Sequence, residues 1–144
     1  MNLSILAIAA MSYVNVPYKW GGFDASGLDC SALIIKSFHD TGHFIQNMNS
    51  QQIYYWTQTI EGAKSCKPTQ DCLLFYGRDA ESITHVALAI NDKILIEAGG
   101  AGRDSLNLSK NELLKRNARV RIREINYRSD LVASVFIDLK KIKP

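Results

Sequence analysis

The chain has 144 residues, 47% of them hydrophobic and 22% charged, which is enough for one domain with a real core and ordinary in balance. Seventeen Lys and Arg against fourteen Asp and Glu leave a net charge of +3, which permits an anionic partner without demanding one. There is no dense basic run with interleaved aromatics to suggest nucleic-acid binding, no apolar run of about 18 residues to suggest a membrane span, and three cysteines make no disulfide framework.

In chain order, the apolar stretch Met1 to Met11 has no Lys or Arg before Lys19. It is therefore expected to be a first helix rather than an export signal, and the chain to carry no export signal of its own. The helix is placed at residues 2–13, with Leu3, Leu6, Ala7 and Ala10 on its buried face. Residues 15–29 form a loop rich in Pro, Gly and aromatics. A second helix runs from Cys30 to about Asp40, with Leu33, Ile34 and Phe38 near a 3.6 period and Gly42 as its stop. Residues 50–60 allow a third helix from Ser50. Short apolar, β-branched runs then follow at Leu73–Tyr76, Val86–Ile90, Ile94–Glu97, Val120–Ile125 and Ala133–Leu139. Asn91-Asp92 reads as a hairpin turn. Residues 106–118 are a polar connection with room for a short helix, and Lys140, Lys141 and Lys143 a solvated tail. Helices followed by an antiparallel meander make an α+β pattern in one domain, residues 1–144. Cys66 and Cys72 could pair, and lack the spacing of a zinc site.

Gly27-Leu28-Asp29-Cys30-Ser31 places a cysteine at a helix start, where partial positive charge and free N–H groups favour a thiolate. Such a nucleophile needs a base, and the base an orienting group. Of three histidines, His39 and His43 lie at the far end of the same helix. His85 opens a strand that could be packed against the helix start. The hairpin after it returns Glu97, an acidic side chain in an apolar strand, which is costly unless paired. Glu97 could accept a hydrogen bond from one ring nitrogen of His85 and fix its tautomer. As an exposed strand residue it would instead pair with Lys93 or an Arg. Gly99-Gly100-Ala101-Gly102 lacks the context of a phosphate loop and reads as a flexible loop on the cleft side.

Four segments together, Pro17-Tyr18-Lys19-Trp20-Gly21-Gly22, Gly27–Ser31, Leu73-Leu74-Phe75-Tyr76-Gly77 and His85–Ile90 with its hairpin, resemble the NlpC family of papain-like bacterial cell-wall peptidases. The resemblance covers roughly residues 5 to 100. It implies a papain-like α+β fold, N-terminal helices packed on an antiparallel β-sheet. It also implies Cys30 as nucleophile, His85 as base, and Glu97 where the family has a third polar residue, usually His, Asn or Gln. Tyr18 matches a tyrosine near the nucleophile that helps bind substrate or the oxyanion. Asp29 and Ser31 flank the cysteine where some members hold a free amino end of the substrate. Ala32 departs from a usual glycine, and Cys72 from a frequent Asp.

The implied function is a cysteine endopeptidase cutting peptidoglycan stem peptides, often between D-glutamate and a diamino acid, without metal or organic cofactor. Two alternatives stand beside it: a catalytically weak or inactive papain-like module that binds wall peptides, and an amidase or acyltransferase on another amide or ester. The architecture suits a virion component or a secretion-system toxin, made in the cytoplasm and acting on the cell wall.

Overall fold

In the computed structural model, which describes residues 2–144, Ser4 caps the first helix by accepting a hydrogen bond from the Ala7 N–H. Met1, the first residue of the expected 1–144 domain, lies outside the described residues. Helix α1 is Ile5–Met11 and buries Leu6, Ala7 and Ala10. It is shorter than the expected 2–13: Leu3 precedes the cap and is exposed, because the Ser4 hydroxyl ends the possible helix there. That hydroxyl also donates to Asp71 Oδ1 at 2.5 Å, which ties the start of the chain to the sheet.

The loop that follows contains a two-residue hairpin, β1 (Phe23–Asp24) with β2 (Gly27–Leu28), which apolar patterning is too short to reveal. Helix α2, Cys30–Asp40, has the expected bounds: Asp29 caps it and Gly42, at φ +88°, follows its end. It buries Leu33, Ile34, Ile35 and Phe38. Helix α3, Ser50–Thr57, starts at a capping box in which Asn49 and Gln52 satisfy each other's backbone N–H groups.

Six strands complete the fold: β3 (Ala63–Ser65), β4 (Cys72–Gly77), β5 (Ile83–Ala89), β6 (Ile94–Gly99), β7 (Arg119–Glu124) and β8 (Leu131–Ile137). The polar connection before β7 folds as a 3₁₀ turn at Arg103–Asn107 and a short helix α4, Lys110–Lys115. The sheet is antiparallel with the order β3-β8-β4-β5-β6-β7. The expected meander holds from β4 to β7, but β8 doubles back beside β4. The reason lies in β4, all of whose residues are buried, so it needs a partner on each side. Strand β7 alternates Arg119, Arg121 and Arg123 with apolar residues, and so can stand at an edge. β3 escapes sequence reading because Ala-Lys-Ser carries no apolar period and only forms the opposite edge.

One sheet face, with Leu73, Phe75, Val86, Leu88 and Ile96, joins the helices in the main core. The other, with Leu74, Tyr76, Ala87, Ala89 and Leu95, forms a second cluster capped by Tyr127 and Phe136. Cys66 and Cys72 meet at its rim with their sulfurs 3.5 Å apart, both as free thiols. Lys140, Lys141 and Lys143 are exposed as expected, but Ile142 between them is buried in the core and pins the tail. No helix among the described residues is long and apolar enough to cross a membrane.

Candidate active site

Cys30 is the first residue of α2 and half-buried. The turn before it is held by local bonds. Asp29 Oδ1 accepts from the Ala32 N–H (2.9 Å) and the Ser31 hydroxyl (3.0 Å), and Oδ2 accepts from the Gly21 N–H (3.1 Å). The same carboxylate thus caps the helix and fastens the upstream loop over it. That loop closes tightly: a Cβ at Gly22 would lie 2.4 Å from the Gly27 carbonyl oxygen, so only glycine allows the approach.

Tyr18 is buried in this loop, and its N–H donates to the Ala118 carbonyl at 3.0 Å. Burial, and then the neighbouring Cys30, Asp29 and Asp104, raise its phenol pKa well above the usual value, so it stays a neutral hydrogen-bond donor. Tyr18, Cys30, Ser31, Asn49, Ser50 and Thr84 share a cleft of about 210 Å³. A second depression of about 270 Å³ continues from it past Asp29, Ser31 and Gln52. Trp20 stands on the rim, half-exposed, with the Arg103 guanidinium 5.5 Å from its ring centroid.

The structure brings His85 and Glu97 together. They lie on the adjacent strands β5 and β6, and His85 Nε2 donates to Glu97 Oε1 at 2.7 Å. Cys30 lies near enough to act on the charge of the His85 ring, and with Nε2 held by Glu97 the ring nitrogen left to face away from the carboxylate is Nδ1. Glu97 is fully buried rather than an exposed strand residue. Its Oε2 accepts from Arg121 Nε (3.0 Å) and forms an ion pair with Nη2 at 2.9 Å, while the Tyr127 hydroxyl lies 2.6 and 2.8 Å from its two oxygens. The Arg partner left open by the sequence is therefore Arg121, and it is present together with the His85 bond, not in place of it. Lys93 is not the partner.

Burial opposes charge on both groups, and the hydrogen bonds overcome it. Burial lowers the His85 pKa, but the neighbouring Cys30 and the bond to Glu97 outweigh it and raise the value to about 9. Burial raises the Glu97 pKa, but His85, Tyr127 and Arg121 hold it down at about 2. Burial and the Glu97 charge push Tyr127 up to about 12, so its hydroxyl remains a donor. The pair is thus carboxylate and imidazolium at neutral pH.

Arg121 and Tyr127 escaped the sequence reading. The alternation of β7 marks Arg121 as sharing a face with Arg119 and Arg123, but only strand register sets it opposite Glu97. Gly99-Gly100 also differs from expectation. Gly99 ends β6 and is buried against the Glu97 carboxylate, and Gly100 adjoins the Arg121 guanidinium, so the pair backs this cluster instead of forming a flexible cleft loop. His39 and His43 bond backbone carbonyls of Ile45 and Leu139 and take no part in the cleft. Among the described residues no group of three or more His, Cys, Asp or Glu could hold a metal ion.

A sequence model described as NlpC/P60 family matches residues 15–122. Among curated proteins, the chain is 32% identical over 94 residues to one named "Probable endopeptidase Rv2190c" of Mycobacterium tuberculosis, covering 65% of this chain and 23% of that protein. The chain thus spans about a quarter of the length of that relative. Among solved structures, the NlpC/p60 domain of the peptidoglycan hydrolase SagA superposes with a TM-score of 0.67 at 22% identity, covering 95% of this chain and 100% of that one. RipD of Mycobacterium tuberculosis, described as a non-catalytic NlpC/p60 domain protein adapted to peptidoglycan binding, gives 0.63 at 18% identity over 92% and 93%.

Proposed function

The chain belongs to the NlpC/P60 family, and from that premise we propose that it is a cysteine endopeptidase acting on peptidoglycan stem peptides, with Cys30, His85 and Glu97 as its catalytic constellation. The observation that carries this reading is a helix-start thiol on a cleft wall, acting on a buried imidazole that is bonded to an ionised carboxylate.

Cys30 and His85 work as a thiolate–imidazolium pair. The Cys30 sulfur attacks the scissile carbonyl carbon and forms the C–S bond. The carbonyl oxygen gathers negative charge, met by the Cys30 N–H, which a helix start leaves without an intrahelical partner, and by the neutral Tyr18 hydroxyl. As the tetrahedral intermediate collapses, the C–N bond breaks and the imidazolium gives its proton to the leaving amine. Neutral His85 then takes a proton from water, whose oxygen attacks the acyl-enzyme carbonyl. The second collapse releases a carboxylic acid and returns the starting pair. Glu97 holds the ring's tautomer and orientation throughout. Asp29 and Ser31, on the cleft wall, are proposed to meet the substrate's free amino end. The bond between D-glutamate and the diamino acid is the proposed site of cleavage.

Digestion of purified peptidoglycan, with the new termini identified by mass spectrometry, tests the reading. A new D-glutamyl carboxyl end and a diamino-acid amino end are expected, and Cys30→Ala should abolish them while leaving the fold intact. Full activity in Cys30→Ala sinks the proposal. One observation favours a second reading, a module that binds wall peptides: an ionised Glu97 makes His85 a weak acid for the leaving amine. Binding of stem peptides with no new termini would select it.

A further inference from the structure

We propose that Arg121 is a positioning residue for the Cys30–His85 pair: its guanidinium balances the charge of Glu97, so that a carboxylate orients the imidazole much as an uncharged acceptor would. The inference rests on the endopeptidase reading and addresses its weakest step, proton delivery to the leaving amine.

The geometry is a built one. Glu97 and Arg121 are directly opposite on β6 and β7, and the guanidinium meets one carboxylate oxygen through an Nε hydrogen bond and an Nη2 ion pair while His85 meets the other. Arg121 is itself fixed, since Nη1 donates to the Asn117 carbonyl at 3.1 Å. The backbone behind is cut to fit. A Cβ at Gly99 would lie 2.7 Å from Glu97 Oε2, and one at Gly100, where φ is +98°, would lie 2.9 Å from Arg121 Nη1. A lone buried carboxylate against an imidazolium would hold its proton too firmly to release, whereas a cation on the far oxygen weakens that hold and keeps the orientation.

The other groups around the pair do not replace this cation. From α2 the ring faces Cys30, beyond which stands the neutral Tyr18 hydroxyl. From β4 it faces Tyr76, with ring centroids 5.8 Å apart. Tyr127 donates to Glu97 as a neutral hydroxyl. Arg128 lies over Tyr76 but is bound at 2.8 Å to Asp130, whose carboxylate acts on His85 as a further negative charge. Arg123 lies over the Tyr127 ring, 4.5 Å from its centroid. Among the described residues, Arg121 is the cation besides His85 that is paired with Glu97.

The test follows the His85 ring by NMR through a pH titration, alongside kcat and KM on purified peptidoglycan. In Arg121→Gln the imidazole midpoint should rise by about one unit, and kcat should fall about tenfold with KM nearly unchanged. In Glu97→Gln the midpoint should fall, because an unbalanced guanidinium now sits behind the ring. The double variant Glu97→Gln with Arg121→Gln should bring the midpoint back up from that of Glu97→Gln and recover most of the turnover lost in it. An unmoved midpoint in Arg121→Gln, or a double variant no better than Glu97→Gln in both midpoint and turnover, overturns the proposal. Should Arg121→Gln fail to fold, the comparison of Glu97→Gln with the double variant carries the same test. The ring titration needs no turnover, so a chain inactive on peptidoglycan would sink the endopeptidase reading and leave the Arg121 inference still testable.

Discussion

The two sides of the cleft are assembled by different physics. On the Cys30 side, the bonds of the capping carboxylate are short in sequence: Asp29 to Ala32, Ser31 to Asp29, Gly21 to Asp29. On the imidazole side, Glu97 is bonded to residues 12, 24 and 30 positions away. The first side is a set of separable contacts to one half-exposed capping carboxylate. The second is a buried group of charges, each present only because the others balance it. Burying such charges is costly, and removing one partner exposes the cost of those that remain. The Cys30 turn should therefore tolerate piecemeal change, and the imidazole cluster should behave as a unit.

Glu97→Ala gives the largest expected break. It leaves Arg121 buried without its main counter-ion and His85 without its orienting acceptor, so a loss of about 3–5 kcal/mol in urea unfolding is expected, with activity on peptidoglycan lost as well. A loss near that of an ordinary surface substitution would show that the cluster is not a unit.

Acidity offers a break without mutation. Folded Glu97 resists protonation down to about 2 against an ordinary value of 4.5, so its stabilising contribution is present above 4.5 and is lost as pH falls towards 2. Folded His85 keeps its proton up to about 9 against an ordinary 6.5, so its contribution is complete below 6.5 and is lost as pH rises through 9. The pair thus contributes most between 4.5 and 6.5, and falls away on each side with a slope approaching about 1.4 kcal/mol per pH unit. Denaturant unfolding from pH 2 to 10 checks this, and Glu97→Gln should flatten the acid limb.

Asp29→Ala sharpens the contrast from the other side. Losing a helix cap costs about 1 kcal/mol, and thermal unfolding should show a single, smaller shift. A cost matching that of Glu97→Ala would erase the distinction between the two sides. Ser31→Ala is the smallest change. It removes one hydroxyl from a carboxylate that keeps its backbone donors, and about 0.5–1 kcal/mol or less is expected in the same measurement.

What could be read from the sequence follows the same division. Helix α2 was legible in both bounds because a cap, an apolar period and a glycine stop are all local signals. His85 and Glu97 could be suspected of meeting because a tight turn joins their strands and counts out the register. Arg121 could not be assigned, since the path from Glu97 to it runs through a 3₁₀ turn and a short helix whose length fixes no register. Tyr127 lies beyond that again. Gly99-Gly100 reads in the sequence as part of a flexible cleft-side loop because glycines permit flexibility. Here they serve close packing, which becomes visible only once the carboxylate and guanidinium behind them are in place. The return of β8 beside β4 was hidden for a related reason: an apolar run shows that a strand is buried, not which strand will cover it.

The two sulfurs at the rim of the second cluster have a consequence for handling and measurement. The Cys66 and Cys72 sulfurs stand 3.5 Å apart, while a disulfide needs about 2.05 Å, so they are neighbours that must close that difference to join. An oxidant of the thiol–disulfide type, taking up two electrons and two protons, would fasten the start of β4 to the segment leaving β3. Cys30 would then be the remaining free sulfur of the chain's three. Unfolded reduced and oxidised samples would thus present three and one thiols to an alkylating probe, whereas in the folded chain Cys72 is buried, and oxidation would leave Cys30 as the one thiol open to a covalent label.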